Sequence, residues 1–250
     1  LPPQLATLQP IADPHPAATV IYQHPAAPNT PAARLAISVS DLVKPKDQAP
    51  APWHGLSADD LPTNPLPSRR ESAKLAGTAT HDALQHLDFV ALISAQHPQQ
   101  ELLAQLDQLL RARIITSDQL AAIDLGQLHW FLATPLAASL AASRLHREIP
   151  INFTHPASFS LPPDHPAHAQ PIIRGRIDLL AETPTSLHLI DYKTDRVSAN
   201  TPAMQDRITT YTAQLALYAH ALKQMLPQKH LQASLVFLHP RIIHEAVLSK

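Results

Sequence analysis

The sequence predicts a mixed α/β or α+β fold, with a central sheet flanked by helices and a helical insertion before the sheet. Three observations carry that reading. Leu102, Leu103, Leu106, Leu109 and Leu110 recur at helical spacing. Residues 171–181 and 187–193 are nearly continuous apolar runs (Ile172-Ile173, Ile177, Leu179-Leu180, then Leu187, Leu189, Ile190), as in strands covered on both faces. Thr201-Pro202 offers an N-cap followed by proline at the first helical position, opening a long helix to about Leu226, with strands expected near 231–238 and 242–248.

The remaining elements follow in order. Residues 1–35 are rich in Pro and Ala and read as a linker or tether, leaving 36–250 as one domain; residues 44–67 repeat that linker character. Between them, Leu35 to Leu42 reads as a short strand leading into a turn. Ser68-x-x-Glu71 is a capping box, in which two side chains satisfy orphaned amides at a helix start, and that helix is expected to run to about Phe89. Short helices are expected across 117–132, and Thr134-Pro135 opens another. From about Leu145 the pattern turns to β, beginning with Arg147 to Ile151. Helices, then strands, one long helix and further strands give the mixed architecture.

Composition excludes several chemistries. The 250 residues are 45% hydrophobic, enough for a sizeable core, and carry a formal charge of −1, so any basic surface must be local. No cysteine is present, which removes disulfides, thiolate zinc sites, iron–sulfur clusters and cysteine nucleophiles. No apolar run approaches the roughly 18 residues of a membrane span, and the N-terminus lacks the order of a signal peptide, so a cytoplasmic location is expected. Many of the 16 histidines lie in Pro/Ala-rich stretches and read as solvated spacers. Leu1 in place of Met fits a piece of a longer polypeptide.

The chemistry concentrates at Gly175-Arg176-Ile177-Asp178 and Leu189-Ile190-Asp191-Tyr192-Lys193-Thr194. A reversal about the Pro184–Thr185 bond sets Asp178 opposite Asp191 on antiparallel strands, and like charges so placed are destabilising unless a cation lies between them. Strand alternation puts Lys193 on the face of Asp191. Magnesium suits one or two carboxylates plus phosphate oxygens, and the lysine suits a water or developing negative charge. An ordinary hairpin with surface Asp and Lys is the alternative, and the apolar flanks favour the metal site because charges embedded in such strands are costly unless paired. Gly77, in a helix interior at a cost of about 1 kcal/mol, implies close approach by another group near His81. Gln214 and Tyr218 share one face of the last long helix, continued inward by Tyr211, Leu215 and Leu222. Glu148, beside Arg147, is open to three readings, another ligand, an acid holding a nearby Arg or a surface charge, of which a structural or supporting role is favoured.

Taken in order, G-x-x-x-H at 77–81, R-E-x-P at 147–150, G-x-I-D at 175–178, D-Y-K-T-D at 191–195 and Q-L-x-x-Y at 214–218 resemble the motif series of RecB-type nucleases in the PD-(D/E)XK superfamily. Within that group the chain is similar to the C-terminal nuclease domains of AddA-type helicase–nuclease proteins, from about Ser38 to Lys250. The resemblance implies a restriction-endonuclease-like fold and Mg²⁺-dependent hydrolysis of DNA, with Mn²⁺ as a substitute, in an exonuclease associated with recombination and repair. It implies that His81, Asp178, Asp191 and the Tyr192 backbone carbonyl bind the metal and that Asp178, Asp191 and Lys193 are catalytic. Gln214, Tyr218, Arg176 and Thr194 would be accessory or DNA-binding, with Glu148 supporting the ligands. The iron–sulfur cysteines of AddB-type relatives are absent, and so is a Walker A motif, so ATP is not expected to bind this segment. The expected partners are single-stranded DNA, a helicase module in cis or trans, and an AddB-like protein. Arg69, Arg70, Lys74, Arg174, Arg176, Lys193 and Arg196 form a basic set that offers phosphate contacts. The alternatives are a catalytically inactive DNA-binding relic of the fold and a phosphodiesterase acting on another nucleic acid, for example RNA.

Overall fold

In the computed structural model, the described residues are 36–43, 69–157, 159 and 171–248; the linker segments 1–35 and 44–67 and the Ser68 cap lie outside them. Among these residues six strands form one mixed sheet and eight helices flank it. The chain opens with β1 (Ala36–Ser38) and α1 (Val39–Val43). A helix replaces the expected turn because the Ser38 hydroxyl accepts the Asp41 amide at 3.0 Å and so caps it.

The helical insertion follows. Helix α2 (Arg69–His86) stops short of Phe89 because Asp88 opens α3 (Phe89–Ser94), its carboxylate accepting the Ala91 amide at 3.0 Å. The Asp88 amide in turn donates to Gln105 Oε1 of α4 (Pro98–Arg111) at 2.9 Å. A second helix start, capped by Asp88, therefore closes a stretch that reads as one helix. Thr116 and Gln119 form a capping box on α5 (Ser117–Ala122), Asp124 caps α6 (Leu125–Leu132), and Thr134 caps α7 (Pro135–Ala141) with Pro135 in the first turn.

The sheet strands are β2 (Arg144–Thr154), β3 (Ile172–Glu182), β4 (Ser186–Lys193), β5 (His230–Phe237) and β6 (Ile242–Glu245), joined to the short β1. Helix α8 (Pro202–Met225), capped by Thr201, crosses between β4 and β5, which pair in parallel. Its Leu215, Leu217 and Leu222 pack with Ile173, Ile177, Leu189, Leu235 and Phe237. The insertion covers the other face, where Phe89, Leu102, Leu106, Leu128 and Phe131 pack with Leu179, Ile190, Tyr192 and Val236. Each fully buried Leu or Phe contributes about 1.5–3 kcal/mol, so both layers hold the strand ends in place.

The central strand β3 has an interrupted edge. Along one edge it pairs with β2 from Ile172 to Glu182. Along the other, Ile172–Arg174 pairs with β1 and Leu179–Glu182 with β4, so residues 175–178 have no strand beside them there. The chemistry-bearing residues gather at this opening.

Candidate active site

The β3–β4 register pairs Leu180 with Leu189 and Leu179 with Ile190, which places the reversal midway between Pro184 and Thr185 and makes Asp178 opposite Asp191 the next rung. Beyond Leu179 the ladder gives way to side chains. Asp178 Oδ2 accepts the Tyr192 amide at 2.9 Å, a bond that a strand carbonyl would otherwise make.

Pleat alternation also fails on β2 and β3 at one common rung. Ile149 and Ile177 face α8, whereas Leu145 and Leu179 face the helical insertion, although each pair is separated by an even step. At the rung between them Glu148 stands opposite Asp178 without a bridge, and Glu148 has φ 51°, a left-handed conformation costing an L residue about 1–2 kcal/mol. The distortion brings Arg147 with Glu148, and Asp178 with Leu179, into a crevice lined also by His81, Leu84, Gln85 and Tyr192. Strain of this kind is retained only where surrounding packing enforces it.

His81, Glu148 and Asp178 each present a ligand atom, and these atoms lie within 4.8 Å of one another. His81 Nδ1 is 3.6 Å from Asp178 Oδ2, and its ring stands edge-on to Tyr192 at 6.3 Å. Burial lowers the His81 pKa from 6.5, despite the opposing effects of Asp191 and of a hydrogen bond with the Tyr192 backbone. The ring is therefore neutral at pH 7, with a lone pair to offer. Burial, and then the Asp191 charge, push Asp178 well above the usual carboxylate range.

Asp191 is oriented differently. It shares the α8-facing side of β4 with Lys193, and Lys193 Nζ lies 2.7 Å from Asp191 Oδ2. Asp191 Oδ2 is buried, and apart from this ion pair it has no partner among the described residues. Burial pulls the Lys193 pKa down, but the charges of Asp191 and Asp178 outweigh it and hold the ammonium above its ordinary value. Lys193 Nζ also lies 3.4 Å from Gln214 Oε1 and 4.2 Å from the centre of the Tyr211 ring.

The accessory residues are inside the protein. Gln214 is 8% and Tyr218 3% exposed, and Gln214 Nε2 donates to the Tyr218 hydroxyl at 3.4 Å. Tyr218 also accepts the Arg176 amide at 3.2 Å, filling the opening beside β3. Gly77 permits the approach implied by its sequence position, since a Cβ there would lie 3.0 Å from Thr194 Oγ1. The Arg176 side chain is exposed and pairs with Glu148 at 3.3 Å. Arg70, Lys74, Arg174 and Arg196 are exposed, whereas Lys193 is enclosed and paired; the Arg69 side chain lies outside the described ones.

Sequence reasoning missed three participants. Arg147 donates to the Gln85 and Leu87 carbonyls at 3.1 and 2.8 Å, tying β2 to the end of α2. Tyr211 touches Lys193, and Asp195 holds Tyr211 through two contacts of 3.0 and 2.9 Å. The available signals were the second acidic residue of D-Y-K-T-D and a tyrosine one turn before Gln214.

Residues 38–250 match the family model described as the PD-(D/E)XK nuclease superfamily. The chain is similar to an ATP-dependent helicase/nuclease protein of Bacillus licheniformis, 33% identical over 159 residues, 60% of this chain and 12% of that protein. It is 36% identical to the protein of the same name from Lacticaseibacillus paracasei over 177 residues, 69% of this chain and 14% of that one. The Bacillus velezensis counterpart is 30% identical over 162 residues, 61% and 13%. The chain thus spans about an eighth of the length of these relatives. A solved structure described as the crystal structure of SSO0001 overlaps 71% of this chain and 77% of its own at 12% identity, with a TM-score of 0.29 that carries no argument.

Proposed function

Because the chain belongs to the PD-(D/E)XK nuclease superfamily, we propose that it hydrolyses DNA phosphodiester bonds with the help of a divalent cation. The observation that carries this reading is the convergence of His81, Glu148 and Asp178 within 4.8 Å beside the Asp191–Lys193 ion pair. The donor set fits such an ion. It offers carboxylate oxygens, a neutral imidazole and, in Asp191 Oδ2, a buried oxygen whose one partner among the described residues is the Lys193 ammonium. His81, Asp178, Asp191 and the Tyr192 carbonyl are the proposed ligands, with Glu148 beside them. Mg²⁺ is the proposed ion and Mn²⁺ its substitute; when bound, it supplies Lewis acidity toward a phosphoryl oxygen and acidity to a water.

The protein's own groups account for the rest. Lys193, its side chain 16% exposed, keeps its charge and directs it at the nucleophilic water or the oxygens on which negative charge develops. Asp178 and Asp191 hold the reacting groups in register from adjacent strands. Arg70, Lys74, Arg174, Arg176 and Arg196 offer exposed charges to the phosphate backbone, and Thr194 lies where the chain leaves the site. The proposed substrate is single-stranded DNA delivered by a helicase module in cis or in trans, in an exonuclease acting in double-strand-break repair and recombination. The names of the similar proteins support the helicase association. An AddB-like protein is the proposed partner and the cytoplasm the proposed location. Among the described residues no helix is long and apolar enough to cross a membrane.

The test compares end-labelled single-stranded DNA, duplex DNA and matched RNA, each with Mg²⁺, Mn²⁺ or EDTA. Cleavage of the DNA single strand with either metal, none with EDTA, and none by Asp191→Ala or Lys193→Ala is expected. Equal cleavage in EDTA, or undiminished cleavage by either variant, would overturn the reading.

A further inference from the structure

The D-Y-K-T-D segment and α8 meet at one aromatic ring that has no part in the hydrolysis proposed so far. Lys193 and Asp195, two residues apart, reach opposite parts of Tyr211: the ammonium lies over the ring face at 4.2 Å, and the carboxylate accepts the phenol hydroxyl at 2.9 Å. Arg207, one turn before Tyr211 on α8, steadies that carboxylate through an Nε–Oδ1 contact of 3.5 Å. On its other side the ring leans on Phe237 at 6.1 Å and 42°, and Phe237 is fully buried and stands directly across the ladder from Lys193. Tyr211 is thus held at its hydroxyl by Asp195 and against the Phe237 ring, with the Lys193 ammonium over its face.

We propose that Tyr211 is a positioning residue, clamped by Asp195 and Arg207, whose ring face sets the place of the Lys193 ammonium in the active site. The proposal rests on Lys193 acting in the proposed hydrolysis. A lysine has four rotatable side-chain bonds, and its ion pair with Asp191 fixes a distance without a direction. Gln214 Oε1 at 3.4 Å adds a weak second hold. The ring supplies the missing restraint, because a cation is attracted to an aromatic face along the face normal and the attraction is strongest where water is excluded. Here the lysine side chain is only 16% exposed. The clamp also spans the chain exit from β4, so it couples the orientation of Lys193 to the docking of α8.

The test uses the full chain and the variants Tyr211→Phe, Tyr211→Leu and Asp195→Ala. Single-turnover cleavage of a labelled DNA single strand gives the rate, and fluorescence anisotropy with Ca²⁺ gives DNA affinity. Independently of activity, NMR of ¹³C-labelled lysine reads the Lys193 CεH₂ protons, which an overlying ring shifts upfield. Tyr211→Leu should lose the upfield shift and about 10- to 100-fold in rate, the loss expected of a group misplaced by about 1 Å, with DNA affinity unchanged. Tyr211→Phe, which keeps the face, should retain the shift and most of the rate, and Asp195→Ala should fall between. Equal losses in the Phe and Leu variants, a wild-type rate in Tyr211→Leu, or an unshifted Lys193 signal in the wild type would overturn the clamp. A wild-type protein with the shift but no nuclease activity would instead sink the reading on which the clamp's catalytic purpose rests.

Discussion

The Tyr218 hydroxyl lies 3.2 Å from the Arg176 amide and takes the place of a missing strand. It stands beside the one stretch of β3, residues 175–177, that has β2 on one edge and neither β1 nor β4 on the other. Tyr218→Phe leaves that amide without its acceptor and Gln214 Nε2 without its partner. A loss of about 1–3 kcal/mol is expected, the cost of an unsatisfied enclosed polar group. Urea denaturation with an unchanged slope would measure it; a variant as stable as the wild type would show that water replaces the hydroxyl freely.

Gly175 is required by the same ring. A Cβ at this position would collide with Tyr218 Cε1 and lie 2.7 Å from the hydroxyl, so the buried ring would have to shift. Gly175→Ala should destabilise by about 1–3 kcal/mol through overpacking, exceeding the ~0.4–1 kcal/mol that a less flexible unfolded chain would return. Combining it with Tyr218→Leu should recover part of the loss. A double-mutant cycle with no coupling energy would contradict the contact.

What the sequence made legible at this site follows regular geometry. The turn about Pro184–Thr185 and the period-two alternation of β4 sufficed to put Asp178 across from Asp191 and Lys193 beside it. The closeness of Glu148 to His81 and Asp178 is not legible in the same way, because it depends on a left-handed strand residue that regular alternation does not foresee. The i, i+4 spacing puts Gln214 and Tyr218 on one face of α8, as accessory or DNA-binding groups, but it does not tell how deeply they are enclosed. Their burial follows from the break in the β3 edge, a tertiary fact with no local signature. The early end of α2 was readable in principle from Asp88, but its hold by Gln105, seventeen residues on, was not.

Asp178 should make the metal-free protein pH-sensitive. Burial and the Asp191 charge raise its pKa in the folded state, so the folded form binds a proton that the unfolded form has already released. The stability this group contributes is fully present below the unfolded value of about 3.9 and is lost as pH rises through the folded pKa. Asp178→Asn should therefore raise the Tm of metal-free protein at pH 7 and flatten its pH dependence. The same variant should lose the stabilisation by Mg²⁺, which in the wild type amounts to about 2.7 kcal/mol at a hundred times Kd. A lower metal-free Tm, or an intact metal response, would contradict this.

Glu182 has the opposite sign. Hydrogen bonds from Lys229 and His146 depress its pKa from 4.5 to about 2. Its contribution is present above pH 4.5 and lost as pH falls toward 2. Glu182→Gln should lower Tm at pH 7, and the gap from the wild type should close across that acid interval. A gap constant from pH 7 to pH 2 would assign the loss to packing.

Arg147 joins the strand that carries Glu148 to the helix that carries His81. Its guanidinium donates to the Gln85 and Leu87 carbonyls, at and just beyond the end of α2, and lies over the Phe89 ring at 5.0 Å. Terminal helical carbonyls lack partners within the helix, and a planar fork satisfies two at once where an ammonium is a single flexible point. Arg147→Lys should therefore behave as a severe change despite keeping the charge. A loss of about 1–3 kcal/mol in stability is expected. Because α2 then drifts from β2, His81 moves relative to Glu148 and Asp178, and Mn²⁺ affinity should weaken about 10- to 100-fold, as when an outer-shell support is removed from a metal site. Calorimetric titration with Mn²⁺ at a temperature where the variant is fully folded separates the two effects. Unaltered Mn²⁺ affinity would mean that His81 is held in place by the packing of Ala79, Ala83 and Leu84 alone.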